Sequence, residues 1–132
     1  MKEYLIAICF HEAESYKSWL NGEIEDYESS TGIFITANSE LEALKWGEIV
    51  ADKLFKMLNP GEQKSWKDFE YDCRIEDVES SAWRSTFGFF QKIKYGEMPN
   101  FDLMGTAAFK QWILNNRTEE WILKHYGKYF YD

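Results

Sequence analysis

Gly32-Ile33-Phe34-Ile35-Thr36-Ala37-Asn38 is a short apolar run with the look of a strand, and it feeds directly into Ser39-Glu40-Leu41-Glu42, the opening of a long amphipathic segment that lasts to Leu58. Ser39 with Glu42 three residues on has the sequence of a capping box: the hydroxyl accepts an early helical N–H while the carboxylate reaches back to the Ser39 N–H. A helix is therefore expected from Glu40. At 100° per residue, Ala43, Leu44, Gly47, Val50, Ala51, Leu54, Phe55, Met57 and Leu58 fall on one broad stripe. Glu42, Lys45, Glu48, Asp52, Lys53 and Lys56 fall opposite, with Ile49 an apolar exception among them. Asn59-Pro60-Gly61 then stops the helix. One face is made for a core and the other for water.

Outward from this unit, residues 4–10 (Tyr-Leu-Ile-Ala-Ile-Cys-Phe) form a continuous apolar run, the pattern of a strand buried on both faces or central in a sheet. On the other side, Phe69-Glu70-Tyr71-Asp72-Cys73-Arg74-Ile75-Glu76 alternates strictly. Phe69, Tyr71, Cys73 and Ile75 share one face, packed under a helix, and Glu70, Asp72, Arg74 and Glu76 share the face toward solvent or a partner. A strand–helix–strand crossover favours parallel strands, so the strands around Phe34 and Tyr71 are expected to flank the first strand, which runs antiparallel to both. The expected fold class is α+β: a small mixed sheet of about three to four strands, one long helix on one face, and a helical C-terminal third. Residues 12–31 read as a turn-rich, partly extended connection, since Ala13, Tyr16 and Leu20 have helical spacing while Asn21-Gly22 is a hairpin turn.

For the last third, Ser81 is expected to cap a helix carrying Trp83, Phe87, Phe90 and Ile93, with Gly96 beyond its end and Gly88 weakening its centre. After Pro99, Thr106 is expected to cap a helix bearing Phe109, Trp112 and Ile113. Thr118 caps another, with Glu119 and Glu120 in its first turn, Lys124 and His125 in its last, and Gly127 closing it.

At 132 residues the chain has the length of one domain, expected to span 1–132, and its 45% apolar and 18% aromatic content rules out the composition of a disordered segment. Met1-Lys2-Glu3 followed by only seven apolar residues is too short and too acidic-flanked for a signal peptide, so the expected compartment is the cytoplasm. Cys9 and Cys73 lie in strand-like patterns without metal or redox spacing and are expected as buried, reduced thiols. The net charge of −8 is unevenly divided. Residues 1–79 hold 8 Lys/Arg against 18 Asp/Glu, a net −10, whereas residues 80–132 hold 7 against 5, a net +2. A negative field of that kind repels phosphate backbones and anionic lipid, which argues against nucleic-acid or membrane binding and steers in a basic protein.

Sequence fingerprints of catalysis are missing: there is no Gly-rich phosphate loop, His-Glu-x-x-His, paired Cys-x-x-Cys or Gly-x-Ser-x-Gly. His11, leaving the first strand beside Glu12 and Glu14, has the ingredients of a carboxylate-oriented general base, but a surface histidine is the plainer reading. His125 is accounted for by the helix dipole. Glu23, Glu25, Asp26 and Glu28 lack the alternating ligands and fixed glycine of a calcium loop and read as a solvated acidic loop; no metal, cofactor or catalytic residue is assigned.

Trp83 and Trp112 sit on apolar stripes, whereas Trp19, Trp46 and Trp66 lie among charges, where aromatic anchors of an interface are found. The expected binding residues are Trp19, Glu23, Glu25, Asp26, Tyr27 and Glu28, joined by Glu70, Asp72 and Glu76 of the alternating strand. In composition, being compact, acidic and aromatic-rich, the chain resembles small bacterial toxin-immunity proteins. That resemblance implies an inhibitor that neutralises a basic enzyme such as a nuclease toxin. The competing expectations are a small enzyme or ligand-binding domain with a pocket between sheet and C-terminal helices near His11, and a structural or oligomeric role.

Overall fold

The computed structural model describes residues 1–10, 29–63 and 72–127. Four strands, β1 (Lys2–Phe10), β2 (Ser29–Ala37), β3 (Asp72–Glu76) and β4 (Lys92–Lys94), form one sheet in the order β3-β1-β2-β4. β1 is antiparallel to both β2 and β3, and β4 joins β2 in parallel. The first strand is therefore interior, flanked as its uninterrupted apolar run requires. β2 begins at Ser29, earlier than the apolar run alone indicates, and the expected strand residues 69–71 lie outside the described residues.

Register separates the two faces of the sheet. Tyr4 opposes Ile35, Ile6 opposes Ile33 and Ile75, Ile8 opposes Cys73, and Ile35 opposes Ile93, which puts all of them on one face. Helix α1 (Glu40–Leu58) covers that face, presenting Ala43, Gly47, Val50, Ala51, Leu54 and Phe55 to it as buried residues. Its N-terminus is capped as expected, the Glu42 N–H donating to Ser39 Oγ at 3.2 Å. At the other end Asn59 caps twice, its backbone and side-chain N–H groups each donating to the Phe55 carbonyl at 2.9 Å. Ile49 is exposed among the charges, and Met57, expected on the stripe, is also exposed because it falls at the stripe's margin.

The second face carries Leu5, Ala7, Cys9 and Phe34, all buried. Here the chain departs from the sequence reading. Residues expected to make a helix after Ser81 form a 3₁₀ segment, Arg84–Phe89, and then strand β4. Ser81 does not cap that segment, whose cap is Trp83 without a side-chain bond; the Ser81 hydroxyl instead accepts the Trp83 N–H at 3.1 Å within the preceding turn, Thr86 leaves helical geometry and Phe90 is extended. Two competing interactions explain the break. β2 would otherwise leave ladder groups unpaired, and they are met by Phe34 N–H to Gln91 O and Tyr95 N–H to Thr36 O, both 2.9 Å. The rings of Phe87 and Phe90 also pack on Phe34, at 5.4 and 6.3 Å between centroids.

Beyond a short 3₁₀ turn, Phe101–Leu103, lie α2 (Thr106–Asn116) and α3 (Glu119–Tyr126). Thr106 is not the cap of α2. Gly105 is, at φ 94°, a conformation costly for a residue with a Cβ, so the helix starts one residue earlier than a threonine cap implies. α3 follows the expected pattern, with the Trp121 N–H donating to Thr118 Oγ1 at 3.1 Å.

Cys73 is only half-buried, a correction to the expectation of two buried thiols: it lies on β3, an edge strand, while Cys9 lies on interior β1. The two face opposite sides of the sheet, since Cys9 opposes Asp72 and Cys73 opposes Ile8, so no disulfide joins them. Under native conditions a thiol reagent should label Cys73 first and Cys9 only as fast as the sheet opens; prompt labelling of Cys9 would contradict its placement.

Candidate functional site

Of the expected binding residues, only Asp72 and Glu76 lie among the described residues; Trp19, Glu23, Glu25, Asp26, Tyr27, Glu28 and Glu70 lie outside them, as do His11 and Trp66. Strand alternation puts Asp72, Arg74 and Glu76 on the second face of β3. Arg74 sits between the carboxylates and bonds both, Nη1 to Asp72 and Nη2 to Glu76 at 2.9 Å. The Asp72 hydrogen bond, with Glu76 adding to it and partial desolvation opposing, holds the guanidinium above its ordinary pKa. β3 thus carries a net charge of −1 across the trio rather than a bare acidic row, and both pairs are exposed enough to contribute little to stability.

Trp46 is not an exposed anchor. It is half-buried on α1, 5.4 Å from the Tyr95 ring, and its indole N–H donates to the Glu97 carbonyl at 2.6 Å. That places it where it secures the loop after β4. His125 stacks on Trp121 at 4.0 Å, with Nδ1 2.8 Å from the Trp121 carbonyl, in keeping with its place in the last helical turn.

An aromatic cleft of about 340 Å³ lies between the 3₁₀ segment, the start of β2 and helices α2 and α3. It sits where the sheet meets the C-terminal helices, as the ligand-binding alternative expected of a pocket, but its lining residues are not among those the sequence singles out for a site. Its walls are the rings of Trp83, Phe89, Phe90, Phe109 and Tyr126, with Thr31 and Ser85 adding hydroxyls. Trp83 meets Phe90 at 88°, Phe90 meets Phe89 at 87°, Phe89 meets Phe109 at 61° and Phe109 meets Tyr126 at 79°. Steep angles of this kind let neighbouring rings brace one another without stacking.

The framework behind these rings is tied down. Buried Thr86 donates its hydroxyl to the Trp83 carbonyl at 3.0 Å. Arg117, between α2 and α3, donates to the Ser85 carbonyl at 2.6 Å while its guanidinium lies 4.9 Å from the Trp112 ring and 5.2 Å from Trp121. Burial raises the Tyr126 phenol above its ordinary value of 10.0, with Arg117 pulling the other way, so the group is a protonated hydroxyl at neutral pH. The described wall offers ring surfaces and hydroxyls, chemistry suited to holding a ligand.

No protein-family model, curated protein or solved structure matches this chain. Its reading therefore rests on its own residues. Among the described residues, no group of three or more His, Cys, Asp or Glu is placed to hold a metal ion, and no helix is long and apolar enough to cross a membrane.

Proposed function

We propose that the protein is an acidic interaction module of the cytoplasm, an inhibitor or immunity-type protein whose partner is a basic protein such as a nuclease toxin. The observation that carries this reading is the division of charge, −10 over residues 1–79 against +2 over residues 80–132. Like charges concentrated in one part of a chain repel one another, and complementarity to a cationic surface offsets that cost while accelerating encounter. Six of those carboxylates fall within residues 12–28 against the single cation Lys17, and Tyr16, Trp19 and Tyr27 are interleaved with them. Carboxylates supply steering, and rigid rings supply the burial on which dissociation depends. Because Arg74 partly neutralises Asp72 and Glu76, the steering is assigned chiefly to Glu23, Glu25, Asp26 and Glu28.

Titration against the product encoded by the neighbouring gene, whatever its charge, followed by surface plasmon resonance at low and high salt, tests this. Exposed charges are screened beyond ~8 Å at physiological ionic strength, so the association rate should fall as salt rises. Reversing Glu25 and Asp26 together to Lys should slow association about tenfold at low salt with the fold intact. Trp19→Ala should accelerate dissociation and leave association nearly unchanged. An association rate indifferent to both salt and charge reversal removes the proposal.

A further inference from the structure

We propose that the aromatic cleft binds an uncharged planar compound of about two to three rings, held against ring faces and oriented by the hydroxyls at its rim. The site does not depend on the acidic partner reading. At about 340 Å³ the cleft falls at the lower end of the ~300–1,000 Å³ typical of small-molecule sites, which suits a compact ring system better than a nucleotide.

Ring geometry supplies the preference for a flat ligand. Trp83, Phe90, Phe89, Phe109 and Tyr126 meet one another edge to face, and each such contact covers the face of only one of its two rings. Unstacked ring surface therefore lines the cleft, and a flat guest makes the most contact with it. Pre-organisation favours binding too, because the Arg117 bond to Ser85 and the Thr86 bond to Trp83 fix the wall beforehand.

Charge decides between ligand classes. Walls of aromatic rings also suit organic cations, but Arg117 is bonded to cleft residue Ser85 and its charge is felt at cleft residue Tyr126. A fixed cation bonded to a residue of the wall disfavours a cationic guest. Thr31 and Ser85 add hydroxyls to the cleft, which recognise a carbonyl, a ring nitrogen or an N–H on an uncharged ring.

The probe for this site is N-phenyl-1-naphthylamine, uncharged and brighter in apolar surroundings. Titration of the full chain should give saturable, one-to-one enhancement, and phenyltrimethylammonium should fail to displace the probe. Ala82 and Ser85 line the cleft and are exposed, so they can be enlarged without disturbing the core. Ala82→Phe should weaken probe binding about tenfold, as a one-side-chain clash does, while Ala107→Phe, on the exposed side of α2 and outside the cleft wall, should not. Should circular dichroism show Ala82→Phe unfolded, Ser85→Leu makes the same test from the other rim. Non-saturating enhancement, or binding that both rim variants leave unchanged, overturns the site. Tighter binding of the ammonium compound overturns the ligand class.

Discussion

Phe55→Ala is expected to lower the stability of the protein by about 3–5 kcal/mol, the range seen when a buried aromatic side chain is cut to a methyl group. Phe55 is fully buried on the sheet-facing side of α1, within the cluster that holds Ile6, Ile33, Ile35 and Leu54. Removing the ring forfeits its transfer free energy and leaves a cavity. The floor of that cavity is a hydrogen-bonded sheet, which is poorly able to collapse into it. The Phe55 carbonyl that receives Asn59 at the helix end is backbone and survives the change, so the loss reports on packing rather than on capping. Urea unfolding should show a lower midpoint with an unchanged slope. Exposed Lys53, two residues earlier on the same helix, should tolerate alanine within ~0.5 kcal/mol. Equal effects at the two positions would mean that α1 does not seat on the sheet as described.

That contrast between Phe55 and Lys53 was legible in the sequence because α1 spans 19 residues, long enough for its period to outweigh single exceptions such as Ile49. The interior position of β1 and the alternation of Cys73, Arg74 and Ile75 were legible for the same reason: each pattern repeats under one physical rule. The segment after Ser81 was not. Trp83, Phe87, Phe90 and Ile93 do have helical spacing, but periodicity records which residues seek burial and not what buries them. Ile93 is buried by pairing beside Ile35, a partner 58 positions away, and no local propensity encodes that pairing. The lining of the cleft was illegible on the same ground. Its rings come from the 3₁₀ segment and the residues flanking it, from α2 and from the end of α3, and Trp83 taken alone reads as an ordinary core residue. Only the density of aromatic residues between 83 and 126 hinted at it.

Substitutions at Gly47 set local propensity directly against packing. In a helix interior, glycine is about 1 kcal/mol less favourable than alanine, so considered locally Gly47→Ala stabilises α1. Packing predicts the reverse. A Cβ at Gly47 would lie 2.8 Å from Cγ2 of Ile6 and 3.4 Å from Sγ of Cys73, closer to the first than real Cβ atoms come. Ile6 has little freedom to yield: it is fully buried on interior β1, paired with Ile33 on one side and Ile75 on the other, and its branched side chain is stiff about χ1. The helix would have to lift from the sheet instead, loosening the contacts of Val50 and Leu54 further along it. Overpacking of this kind costs about 1–3 kcal/mol, enough to cancel or exceed the gain in propensity. Gly47→Ala should therefore be neutral to destabilising, and Gly47→Leu, with a whole side chain to place, should cost ~3 kcal/mol. Cutting Ile6 back to alanine in the Gly47→Leu background should recover part of that loss, because the deleted Cγ2 is the atom in the way. A clear rise in melting temperature for Gly47→Ala alone would show that propensity governs the position and that α1 does not approach β1 so closely.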